Sequence, residues 1–94
     1  MRQAYVIVEA KYQTDENFIA LAKDFKSKFC RDSELFVSVF DSNDHYALSQ
    51  TPQPDRKIEG YPRAIYFLNR QTHKEGIEIY KISDGRIVTR PLSL

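Results

Sequence analysis

One segment of the chain carries a clear helical period, and it has to serve a large amount of β-like sequence. Phe18, Leu21, Ala22, Phe25 and Phe29 fall at offsets 0, 3, 4, 7 and 11, one stripe of an α-helix. Thr14 or Asp15 suits its N-cap, and Asp15 and Glu16 suit the positive end of the helix dipole. Lys26, Lys28 and Arg31 suit the opposite end, while Lys23, Asp24 and Lys26 lie away from the stripe. The other apolar runs are short or alternate with period two, so they read as strands.

"AYVIVEA" (Ala4 to Ala10) is β-branched and aromatic, and it is apolar on both faces over most of its length. That predicts an interior strand. In "ELFVSVFD" (Glu34 to Asp41), Leu35, Val37 and Val39 face one way and Phe36, Ser38 and Phe40 the other. "DSND" is turn chemistry, and "HYALSQ" after it reads as a short return strand. "RAIYFLN", "GIEIYKI" and "IVTRPL" complete the set. Asp84-Gly85 between the last two predicts a two-residue hairpin turn, and Pro91 marks the end of that pairing.

The expected fold is α+β, a single domain over residues 1–94. One helix packs on a mostly antiparallel, curved sheet of four to five strands, in the order β-α-β-β-β-β with room for one more short strand. This order resembles the cystatin-like arrangement, in which a bent antiparallel sheet wraps one helix. The inhibitors of that group carry a Gln-x-Val-x-Gly hairpin; this chain has none, so inhibition is not implied. A split ferredoxin-like half is the competing topology, with the first two strands parallel and joined through the helix.

A single helix covers one sheet face. Alternation then sends residues such as Tyr5, Ile7, Phe36 and Phe40 to the other, together with one of the sets Ile65/Phe67 and Ala64/Tyr66/Leu68. Large contiguous apolar patches are unusual on monomers. The second face is therefore curled shut, covered by another copy of the chain, or used for a ligand.

The charge is formally +1, with six basic and eight acidic groups in residues 1–50 and eight basic and five acidic in 51–94. No strong field points to nucleic acid or to an anionic membrane. The one cysteine, Cys30, rules out an internal disulfide and reads as a small buried hydrophobe. No apolar run approaches the roughly 20 residues that span a bilayer, and the N-terminus is unlike a signal peptide. The expected location is cytoplasmic.

Motifs for chemistry are sparse. His45 and His73 have no metal-type partner at close spacing. Asp41, Asn43 and His45 imitate the start of a calcium loop, but Tyr46 stands where a glycine is required and Pro52 where a glutamate should bind. The three glycines are too scattered to build a phosphate loop. No metal and no cofactor is expected. Tyr61, Arg63, Tyr66, Arg70 and Lys74 interleave rings with cations, a pattern that suits single-stranded nucleic acid. "TPQPDRKIEGYP" (Thr51 to Pro62) reads as a stiff crossing between parts of the sheet, with Ile58 and Tyr61 tucked back and Gln53 to Lys57 exposed to a partner.

These features predict a non-enzymatic binding module that takes a protein partner or self-associates as a homodimer through a sheet face or edge. Its candidate contact residues are Arg56, Lys57, Tyr61, Arg63, Tyr66 and His45. One alternative is a small-molecule or enzymatic pocket between helix and sheet, using Cys30, His45 and Tyr66. A weak nucleic-acid binder acting through the basic C-terminal half is the other, against which the near-zero net charge argues.

Overall fold

Alternation along one central strand decides where the core lies. In a computed structural model that describes residues 1–50 and 60–94, Leu35, Val37 and Val39 of β2 (Glu34–Phe40) are at most 1% exposed. Val37 pairs with Ala4 of β1 (Arg2–Ile7) and with Tyr66 of β3 (Ala64–Asn69). Tyr66 pairs with Ile77 of β4 (Lys74–Ser83), and Ile77 with Leu92 of β5 (Arg86–Leu92). One row of side chains thus crosses all five strands on a single face, in the sheet order β1-β2-β3-β4-β5. Helix α1 (Asp15–Lys28) closes this face with Phe18 and Ala22 buried and with Leu21, Phe25 and Phe29 packed beside them. Each fully buried apolar side chain stabilises the fold by about 1.5–3 kcal/mol.

The α+β class and the element order hold, with β1 and β2 parallel and the other three pairings antiparallel. Of the two expected crossovers, the parallel one through α1 is observed, with β1 and β2 direct neighbours in the sheet. Thr14 is the cap of α1: its Oγ1 accepts the backbone N–H of Asn17 at 3.2 Å. At the other end Arg70 reaches over from the turn after β3. Its Nη2 donates to the carbonyls of Lys26 (3.1 Å) and Phe29 (3.4 Å), and its Nε to that of Asp32 (2.9 Å). Carbonyls left unpaired at a helix end are satisfied in this way by a cation from a distant segment.

Four sequence expectations change. "HYALSQ" is not a strand: residues Asn43–Ser49 form a second helix, α2. The Asp, Ser and Asn of "DSND" serve turns and N-caps by the same local hydrogen bonds, and here Ser42 Oγ accepts the N–H of His45 at 3.2 Å. β1 is an edge strand, not an interior one. It reads as interior because both its faces are apolar: Ala4 and Val6 pack against the core, and Tyr5 stacks on Tyr46 of α2. Cys30 is exposed, just past the end of α1. Pairing continues past Pro91 to Leu92, which the missing outer neighbour of β5 permits.

The β4–β5 turn is as predicted, with Asp84 at φ 51° and Gly85 at φ 72°. Residues 51–59 lie outside the described residues, and with them Arg56, Lys57 and the expected roles of Ile58 and of the Gln53–Lys57 tip. Among the described residues no helix is long and apolar enough to cross a membrane.

Candidate functional site

The face of the sheet away from α1 carries Tyr5, Ser38, Ile65 and Glu78 in one cross-strand row, since Ser38 pairs with both Tyr5 and Ile65, and Ile65 with Glu78. Helix α2 stands on this face rather than on the core side. Tyr46 fixes it there: its ring lies 3.6 Å from that of Tyr5, the two planes within 11°, and 5.4 Å from Phe40 in an edge contact. Phe40 also meets Tyr5 edge-on at 6.5 Å, so three rings from β1, β2 and α2 form one cluster. Such pairs contribute about 0.5–1.5 kcal/mol each beyond their burial.

Between α2 and the open sheet runs a groove of about 750 Å³. Tyr5, Phe36, Ser38 and Ile65 belong to its floor, Tyr46, Ser49 and Gln50 to the α2 side, and Tyr61, Pro62 and Tyr80 close it further along the chain. Gln3, Ala4 and Phe40 complete the lining. No Asp, Glu, Lys, Arg or His is among these thirteen residues. Tyr5, Phe36 and Tyr61 are exposed at 46%, 39% and 37%. Tyr80 is held in place by its hydroxyl, which donates to Glu78 Oε2 at 2.6 Å. Burial, and then the adjacent carboxylate, pushes that phenol up to about 12, so the ring stays neutral.

Of the candidate contact residues that are described, Tyr61 alone lines this groove. Arg63 turns the other way: its Nε donates to Asp41 Oδ2 at 3.0 Å and its Nη1 to the Tyr61 carbonyl at 2.9 Å. Asp41 also accepts from Gln13 Nε2 at 2.5 Å. His45 sits on α2 with Nδ1 3.7 Å from Asp41 Oδ2, too far for a hydrogen bond. Tyr66 is buried in the core on the α1 side and donates its hydroxyl to Glu75. The chain thus gathers His45 and Arg63 about Asp41 and leaves Tyr66 elsewhere. Cys30 lies beyond the N-terminal end of β2 and His45 beyond its C-terminal end, so the two share no pocket. The alternation of rings with cations from Tyr61 to Lys74 does not form one surface, because Tyr66 is buried and Arg70 caps α1.

The chain matches no family model, no curated protein and no solved structure. Its site therefore has to be read from its own residues. Sequence reasoning missed Tyr5, Tyr46 and Tyr80 as site residues. The signal for Tyr5 was the surplus of apolar residues on the second face. Tyr46 had none while its segment read as a strand.

Serine hydroxyls in the groove have no histidine or carboxylate among the lining residues to activate them. No group of three or more His, Cys, Asp and Glu able to hold a metal occurs among the described residues. What the described residues of the groove offer is flat apolar surface, hydroxyls and amides.

Proposed function

We propose that the protein is a non-enzymatic binding module whose ligand surface is the aromatic groove on the open face of the sheet. The observation that carries this reading is the lining itself: six aromatic rings and, among the described residues, no charged side chain. A volume of about 750 Å³ falls within the range of about 300–1,000 Å³ typical of small-ligand sites, which are mostly apolar with a few placed polar groups. General acid–base chemistry needs a group that titrates near the working pH, and the titratable groups among the described lining residues are phenols.

Self-association is the competing use of the same face. Sheets that stack do so flush, about 10 Å apart. α2 projects from that face and favours a ligand over a second sheet. The edges offer another route, but Arg2 on β1 and Arg86, Arg90 and Pro91 on β5 are residue types that blunt edge pairing.

The test is a thermal-shift screen of uncharged small molecules and capped peptides against the wild type and Ser38→Arg, which places a charge on the groove floor. Compounds that stabilise the wild type and not the variant support the reading. Compounds that stabilise both equally bind elsewhere and refute it. Sedimentation equilibrium separates the other case: a dimer that Ser38→Arg dissociates would assign the face to self-association.

A further inference from the structure

The outer edge of β5 presents backbone as well as side chains. In an antiparallel pair the N–H and C=O of one residue point to the same side, and that side alternates along the strand. The Tyr80 N–H donates to the Arg63 carbonyl at 2.8 Å, toward β3 and away from β5. Thr89, which pairs with Tyr80, therefore aims its own N–H and C=O outward, and so do Ile87 and Pro91 on either side of it. Proline has no N–H, so this edge offers two donors and three acceptors. β5 has no neighbour on that side among the described residues.

The two faces beside this edge differ in charge. Ile79 and Leu92 pack toward the core, so alternation puts Lys81 and Arg86, Val88 and Arg90 on the α1 face. Lys81 pairs with Val88, which makes Arg86 and Arg90 its diagonal neighbours, about 7–8 Å away. Arg90 is neutralised by Asp15 at 2.8 Å, but the Lys81 and Arg86 side chains have no partner among the described residues. Val88 stands between these cations, 53% exposed. The opposite face is apolar at Ile82 and Ile87, which pair, and at Pro91. We propose that β5 takes an extended segment of a partner protein with an acid at every second position, added as a further strand of the sheet. Its backbone pairs with Ile87, Thr89 and Pro91, its acids face Lys81 and Arg86, and its apolar side chains lie beside Ile87. Strand addition of this kind draws affinity from the backbone and specificity from alternate side chains. Glu78, across from Pro91 on the apolar face, opposes the flipped placement of the acids. A second copy of the chain would double the positive charge at this edge, whereas an acidic strand neutralises it.

The experiment combines a chemical-shift titration with amide hydrogen exchange on the isotope-labelled full chain. Its probes are a capped heptapeptide of alternating Glu and Val, the same peptide with Lys for Glu, and decathymidylate. With the Glu peptide at saturation, exchange at the Ile87 and Thr89 amides is expected to slow at least tenfold. Its affinity should exceed that of the Lys peptide at least tenfold. Thr89→Pro removes one outward donor and leaves the β4–β5 ladder whole, and it is expected to weaken the Glu peptide at least tenfold. Arg86→Glu, at an exposed position, is expected to do the same and serves if the proline disturbs the strand. Equal affinity for the two peptides overturns the proposal, as does binding of the Glu peptide without protection of Ile87 and Thr89. Binding of decathymidylate alone overturns it in favour of a nucleic-acid surface. Protection of the two amides that rises with protein concentration in the absence of peptide overturns it in favour of a second copy. No binding by any probe at millimolar concentration overturns it outright.

Discussion

Replacing Tyr66 by Phe removes one hydroxyl from the centre of the core and nothing else. That hydroxyl donates to Glu75 Oε2 at 2.5 Å, and Glu75 Oε1 takes Lys26 Nζ from α1 at 3.1 Å. The carboxylate thereby ties β4 to both β3 and α1. A hydrogen bond to a charged group contributes about 1.5–3 kcal/mol. The Glu75 side chain is 27% exposed, and water replaces part of what is lost. We expect Tyr66→Phe to cost about 1–2 kcal/mol at pH 7, where 1 kcal/mol corresponds to about 4–8 °C in Tm for a domain of this size. The cost should depend on pH. Burial pushes the Glu75 carboxyl up, but the hydrogen bonds from Tyr66 and Lys26 and the nearby Lys26 and Arg70 charges outweigh it and hold the group below its ordinary value of 4.5. A depressed folded-state value adds stability above the ordinary value, lost as pH falls through the depressed one. Urea unfolding of wild type and variant at pH 7 and near pH 3 reads the difference. A penalty that shrinks at the acid end supports the argument. An equal penalty at both, or one below about 0.5 kcal/mol at pH 7, refutes it.

Two further outcomes follow from backbone and packing. Gly85→Ala keeps its space, since nothing lies within 4 Å of the added Cβ, but must hold φ 72°; it should cost about 1–2 kcal/mol in urea unfolding, and Gly85→Asn distinctly less. Val37→Ala empties the most central position, 0% exposed; two lost methyl groups and the residual cavity should cost about 2–3 kcal/mol by the same assay, and a cost under 1 would mean the site collapses.

Period explains what was legible in the sequence. The α1 stripe is long enough to repeat, and Phe18, Ala22 and Phe25 are where it places them. Strand alternation on β2 and β3 correctly separated Val37 from Ser38 and Tyr66 from Ile65. Which set of β3 faced the helix was left open, because both are apolar. α2 was missed because seven residues give less than two full turns and no buried stripe. Its anchor is a single aromatic stack across to β1, a contact no local pattern encodes. The groove was foreseen only as a surplus of apolar residues on the second face. Arg63, His45 and Tyr66 were drawn together by residue type, whereas the fold keeps Arg63 and His45 beside Asp41 and sends Tyr66 into the core.

The order of strands across the sheet is the order of strands along the chain. Assembly can then proceed as a zipper, each new strand docking on the one before it, with the α1 crossover as the longest loop to close between adjacent strands among those described. The short β3–β4 and β4–β5 connections keep the entropic barrier to pairing low at that end of the sheet. The same linear order makes stability graded. β5 pairs with β4 alone and carries exposed residues at five of its seven positions, so native-state exchange should open the sheet first from its C-terminal edge and last at β2 and β3, beneath the groove.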